Sequence, residues 1–177
     1  MRKSIAIFSG IFLIGLQGLC EESVPWISSA SVGVGYTLHD EISVVRVGIR
    51  RDSQYKVFEN STGWLSGYYE ASVGYWRRDE SEVANVAFSP VFVYYFGSPD
   101  WKVQPYLEAG IGASLISETK IGDRDMTTAF QFEDRIGIGA RTKDIDLSFR
   151  YMHYSNGSIA LPNAGIDIFI VTAGYRF

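Results

Sequence analysis

Residues 29 to 38, Ser29-Ala30-Ser31-Val32-Gly33-Val34-Gly35-Tyr36-Thr37-Leu38, alternate between apolar and small or polar side chains. A period of two places Ala30, Val32, Val34, Tyr36 and Leu38 on one face of a β-strand, and the glycines, serines and threonine on the other. The same grammar continues downstream. Val45, Val47 and Ile49 form a second apolar row, and Leu65, Gly67, Tyr69, Ala71, Val73 and Tyr75 a third. Val86, Phe88, Phe92, Tyr94 and Phe96 form a fourth, and Val103, Leu107, Ala109, Ile111, Ala113 and Leu115 a fifth. Phe130, Phe132, Ile136, Ile138 and Ala140 form a sixth. Segments 143–155 and 166–177 bring the predicted strands to eight.

Polar connections separate these runs. Short ones at 39–41 and 97–100 alternate with longer ones near 52–62, 77–82 and 117–126, which suggests short turns at one end of a barrel and longer loops at the other. A soluble sandwich would alternate as well, so the second face carries the decision. That face holds Gln104, Glu108, Gly110, Gly112 and Ser114 in one strand and Gln131, Glu133, Arg135, Gly137 and Gly139 in the next. A polar, glycine-rich face suits the narrow lumen of a small barrel. Trp26, Tyr36, Tyr75, Trp76, Phe96, Trp101, Tyr151 and Tyr175 fall near strand ends, where aromatic girdles at two membrane interfaces are expected. The chain ends on Tyr175-Arg176-Phe177, which resembles the C-terminal signal of outer-membrane barrels. Closure also removes the edges that a free sheet of this composition would expose. The predicted fold is all-β, an eight-stranded antiparallel up-and-down transmembrane β-barrel.

Arg2 and Lys3 precede an uncharged apolar run from Ile5 to Leu19. Fifteen residues are too few for a spanning helix, which needs about 20, so residues 1–20 read as a signal peptide and 21–177 as the barrel. Gly18 and Cys20 are small enough for the two positions that a signal peptidase reads. Acylation of Cys20 is the weaker reading, because Leu19 is bulky where a small residue is expected. The remainder then has no cysteine, which excludes a disulfide framework or a thiolate metal site. Removing Arg2 and Lys3 from 16 basic residues leaves 14 against 20 acidic ones, a net charge of −6, which argues against a nucleic-acid partner.

Two histidines are present. His39 falls in a predicted turn. His153 falls in a strand whose outward row runs Ile145, Leu147, Phe149, Tyr151, His153, Ser155. Residues two apart lie about 6.6 Å apart along a strand, within reach of a His-to-Ser hydrogen bond once the side chains lean together. Counting back from Phe177, the outward row of the last strand is Tyr175, Ala173, Val171, Phe169 and Asp167. His153, Ser155 and Asp167 therefore converge on one outer patch near one end. A hydroxyl becomes a competent nucleophile when an imidazole takes its proton and a carboxylate orients the imidazole. These three residues can fill those roles, or they can be interfacial polar groups hydrated by lipid headgroups.

His153-Tyr154-Ser155-Asn156, followed by Pro162-Asn163-Ala164-Gly165-Ile166-Asp167, resembles the signature of the lipid A 3-O-deacylase family, whose members are eight-stranded outer-membrane barrels. The resemblance implies a serine esterase with His153, Ser155 and Asp167 as its triad, and with Asn163, ahead of Asn156, at an oxyanion hole. It implies lipid A or lipopolysaccharide as substrate, an outer-membrane location, and no metal or other cofactor. Asp167 stands where the family usually has Glu, and Ser158 where it tends to have Gly. Asn156-Gly157 and Pro162-Asn163 are also strong turn formers, so turn chemistry is a second reading of both asparagines. The alternative function is a non-enzymatic barrel for adhesion or envelope integrity, working through its loops. A pore fits less well, since eight strands leave a lumen filled by side chains. An aromatic wall is compatible with a homodimer, although no residue pattern specifies an interface.

Overall fold

The computed structural model describes residues 26–177; the predicted signal peptide and its cleavage site lie outside them. The described residues contain no helix. In chain order the strands are β1 (Ser29–Tyr36), β2 (Ser43–Asp52), β3 (Val57–Asn60), β4 (Gly63–Arg78), β5 (Ser81–Phe96) and β6 (Gln104–Ile116). Then follow β7 (Lys120–Ile121), β8 (Arg124–Asp125), β9 (Phe130–Arg141), β10 (Ile145–Ser155) and β11 (Ile166–Arg176).

Eight of these close a ring in the order β2, β1, β11, β10, β9, β6, β5, β4, with β4 returning to β2. All neighbours are antiparallel. β1 joins β11 over its whole length, from Ser29 opposite Arg176 to Tyr36 opposite Phe169. The first and last strands thus satisfy each other's backbone groups, and the ring has no edge to expose to lipid.

Burial is inverted relative to a water-soluble protein. Val47, Ile138 and Val171 are more than half exposed, whereas Glu133 and Arg150 are at most 1% exposed. Apolar side chains on the outside and charges on the inside are stable only when hydrocarbon surrounds the wall. The predicted alternation therefore runs apolar-out and polar-in.

The lumen is layered. In its middle Arg46 grips both oxygens of Glu133 at 2.8 and 2.9 Å and reaches Glu70 at 3.0 Å. Arg135 bridges Glu70 at 2.9 Å and Glu133 at 2.5 Å, and Arg150 meets Glu108 at 2.5 Å. Each of these charges has an opposite partner, the condition under which burial is tolerated. Apolar plugs cap this belt: Ile42, Trp76, Met126, Met152 and Ile168 toward one end, and Trp64, Tyr68, Tyr95 and Tyr106 toward the other. Trp76 departs from the girdle expectation. Tyr75 points outward, so Trp76 must point in, where it packs edge-on against Tyr154 with ring centroids 4.7 Å apart.

The connections also sort differently from the expectation. Because each strand reverses direction, 53–62, 97–103 and 142–144 share the end that carries Ser29 and Arg176, while 37–42, 79–80, 117–129 and 156–165 share the other. The 52–62 segment, expected among the loops, lies at the turn end. There β3 pairs with β4 beyond the point where β2 stops, Val57 opposite Leu65, and continues the sheet along the same side of β4. The connection is long because it is partly strand.

Candidate active site at the loop end of the outer wall

β10 and β11 place the site. His153 lies directly opposite Asp167 in their register, and opposite side chains on one face of an antiparallel pair have Cβ atoms about 4.5–5.5 Å apart. That separation suits the shorter acid. The His153 Nδ1–H donates to Asp167 Oδ1 at 2.6 Å, so loss of one methylene relative to Glu leaves the pairing intact. With the proton on Nδ1, Nε2 is the bare nitrogen of the ring, the one able to accept a proton. Both side chains remain accessible, 35% for His153 and 58% for Asp167, at the outer surface.

Ser155 stands two residues further along the same outward row, at the last position of β10. It is partly exposed, and among the described residues no hydrogen bond joins it to His153. Side chains that couple only in the substrate complex often stand apart in its absence.

The 156–165 connection closes the upper side of the site. Asn156 is fully buried, and its Nδ2 donates to the carbonyls of Met126 and Ala160, both at 3.0 Å. Its backbone N–H donates to Asn163 Oδ1 at 3.1 Å. This bond orients the Asn163 amide, and Asn163 Nδ2 has no hydrogen-bond partner among the described residues. The two asparagines, of which the sequence ranks Asn163 ahead of Asn156 for the oxyanion hole, are unlike: the side chain of Asn156 is committed to holding the loop, and that of Asn163 retains a donor.

Backbone geometry explains two sequence features of this loop. Gly157 and Ser158 have φ of 62° and 63°, and a 3.1 Å bond from Ile159 N–H to the Asn156 carbonyl closes the turn. Ser158 is thus a side-chain-bearing residue in the left-handed region, which is why glycine suits that position. Gly165 has φ of 54°, and a Cβ placed there would lie 3.0 Å from His153 Cε1. The missing side chain makes room for the imidazole.

The 117–129 connection straps this loop from the side. Arg124 donates to Asp40 Oδ1 at 2.7 Å and to the Ala164 carbonyl at 2.8 Å, joining three connections through one guanidinium. The Ala164 N–H donates to the Asp125 carbonyl at 3.2 Å, and Thr127 Oγ1 donates to the Pro162 carbonyl. Beside Asp167, a cavity of about 230 Å³ is lined by Leu38, His39, Asp40, Arg124, Tyr151 and Phe169. His39, read from sequence only as a turn residue, borders the site.

Several neighbours escaped the sequence reading. Asp134 belongs to the outward row of β9 by parity, although it breaks the apolar run there, and it sits directly opposite His153. Tyr151, assigned to a girdle, donates its hydroxyl to Asp167 Oδ1 at 2.6 Å. Arg124 has no signal in the local sequence, because its partners lie in distant loops.

A closed barrel whose outward row carries a histidine–carboxylate pair beside a serine defines the class: an outer-membrane barrel with hydrolase-type groups on its lipid-facing wall. The model of the lipid A 3-O-deacylase (PagL) family matches residues 43–176. The lipid A deacylase PagL of Pseudomonas aeruginosa is 34% identical over 143 residues, covering 79% of this chain and 81% of the relative. The lipid A deacylase PagL of Bordetella bronchiseptica is 30% identical over 183 positions, covering 100% of this chain and 98% of the relative. The crystal structure of the outer membrane enzyme PagL superposes with a TM-score of 0.80 at 32% identity, covering 85% of this chain and 100% of that one. The chain belongs to the lipid A 3-O-deacylase (PagL) family and is an outer-membrane β-barrel.

Proposed function

We propose that this protein is a serine esterase that removes the acyl chain ester-linked at the 3-position of a lipid A glucosamine. The observation that carries the reading is the 2.6 Å bond between His153 and Asp167 on the lipid-facing wall, with Ser155 next on the same row. A charged group on such a wall is unfavourable by about 2–4 kcal/mol at the bilayer midplane if it is Arg or Lys, less if it is an acid, and by about 0–1 kcal/mol near an interface. Their placement at the loop end keeps that penalty small, and function accounts for their presence. The similarity to lipid A deacylases supports the same substrate class.

The geometry supports the following roles. Asp167 holds His153 in the Nδ1–H tautomer, leaving Nε2 to take the Ser155 proton as Oγ attacks the ester carbonyl. Negative charge then develops on the carbonyl oxygen, where Asn163 Nδ2 and loop N–H groups donate to it. Collapse breaks the acyl C–O bond, and the proton on His153 passes to the departing sugar 3-oxygen. Water attacks the acyl-serine with His153 again as base, releasing the fatty acid and restoring Ser155. Lipid A resides in the leaflet that the wall contacts, so its ester can reach the site without leaving the membrane. Ser155, His153 and Asp167 all come from β10 and β11 of one chain, so the chemistry needs no second copy.

Mass spectrometry of lipid A from a host expressing wild-type protein or Ser155→Ala tests this. Loss of one hydroxyacyl chain with wild type alone is the expected result. The same loss with both would exclude Ser155 as nucleophile.

A further inference from the structure

We propose that Tyr151 is a positioning residue of the site, clamping the Asp167 carboxylate in the orientation from which it holds His153; the inference rests on the serine-esterase reading above. Tyr151, His153 and Ser155 are successive members of the outward row of β10, and Asp167 faces them from β11. Tyr151 Oη and His153 Nδ1 both donate to the same atom, Asp167 Oδ1, and both at 2.6 Å. Two donors on one oxygen, one from directly across the strand pair and one from the diagonal position, hold the carboxylate against rotation. The tyrosine is itself fixed, since its ring lies 5.4 Å from that of Phe169, its direct neighbour across the strand pair.

An aspartate in this position needs such a clamp. Its carboxylate is accessible on the outer wall and lies beside an open cavity. The groups facing the pair are Tyr151 on its own strand, Asp134 across β9, Arg124 from the strap, whose positive charge acts on Asp167, and His39 and Asp40 from the 37–42 connection across the cavity. Without the tyrosine hydroxyl, Oδ1 is free to swing toward Arg124 or water. A plain girdle role for Tyr151 would leave its hydroxyl on headgroups instead, as expected for interfacial tyrosines.

The hydroxyl also withdraws charge from the carboxylate, since a hydrogen bond to the charged form favours that form. Removing it leaves a fuller charge to support the protonated imidazole. The acidic limb of the kcat/KM profile therefore moves to higher pH, while kcat falls because the imidazole is less well aimed. A role confined to packing moves neither limb.

The test uses the full-length protein purified in detergent micelles, with fatty-acid release from lipid A as readout and heat-modifiable gel mobility as the check on folding. Tyr151→Phe keeps the ring and removes the hydroxyl. We expect a roughly 10- to 100-fold fall in kcat/KM, as for loss of one hydrogen bond to a charged group, with the acidic limb shifted up. In an Asp167→Glu background the same change should lose less than about threefold, because the longer acid is aimed by its own stem; non-additivity of this kind is the signature of residues acting through each other. Incorporation of 3-fluorotyrosine at position 151 strengthens the donor and should move the limb down. An unchanged profile in Tyr151→Phe, or equal losses in both backgrounds with no limb shift, overturns the clamp. Ser155→Ala, measured alongside, reports on the serine mechanism: if it keeps activity, the esterase reading fails whatever Tyr151 does.

Discussion

Gly165→Ala offers the sharpest test of how the loop end holds His153, the proposed base. The new methyl group meets two penalties. With φ at 54° the backbone is in the left-handed region, where a side chain is unfavourable by about 1–2 kcal/mol. Its Cβ would also approach His153 Cε1 to 3.0 Å, against ordinary contacts of 3.4–4 Å. The imidazole must withdraw by about 0.5–1 Å, and misplacement on that scale is associated with losses of about 10²-fold, or about 2.7 kcal/mol of activation free energy. Since Nδ1 is tied to Asp167 at 2.6 Å, the ring cannot retreat without loosening that bond. The expected outcome is a folded barrel with kcat/KM reduced 10- to 100-fold, measured by fatty-acid release from lipid A in micelles. Gly122→Ala is the control: φ is 53°, but the atoms it would meet belong to the long side chain of Arg78. A folded Gly165→Ala protein with kcat/KM within twofold of wild type would refute the idea that this glycine makes room for the base. Equal losses in the two variants would assign the effect to loop strain.

The two asparagines should separate by assay. Asn163→Ala is expected to lower kcat by about 10²–10³, as for loss of one oxyanion donor, with a small fall in the urea midpoint because the Asn156 N–H loses its acceptor. Asn156→Ala should destabilise the fold by about 1–3 kcal/mol, because it orphans the buried carbonyl of Met126 and the half-buried one of Ala160. In the lumen, Glu133→Ala removes the shared partner of Arg46, Arg135, Tyr154 and Ser89. Breaking one side of a buried pair is unfavourable by about 3–5 kcal/mol, so its urea midpoint should fall while the folded fraction retains activity on the outer wall within tenfold.

Much of this was legible along the chain. A strict period of two cannot hide, because a one-residue slip sends every side chain to the opposite face. The rows starting at Ala30, Val45 and Val86 therefore appear on the outside as counted. Parity also put His153, Ser155 and Asp167 on one face, since the last two strands are consecutive in both sequence and space. The same parity turns Asp134 outward and Trp76 inward, against what their residue types suggest. The connections likewise sort by strand direction and not by length.

Other features lay beyond any local pattern. Parity says which face a side chain is on and nothing about what crosses the lumen, so the pairing of Arg46 with Glu133, 87 residues away, required the closed ring. The difference between Asn156 and Asn163 came from Met126, a residue of another loop, drawing one amide inward. Arg124 became part of the site only because closure brings the loops at one end together. Strand faces are short-range properties of alternating covalent geometry. Partners across the lumen and between loops are set by where the ring closes, which depends on the registers of all eight strands together.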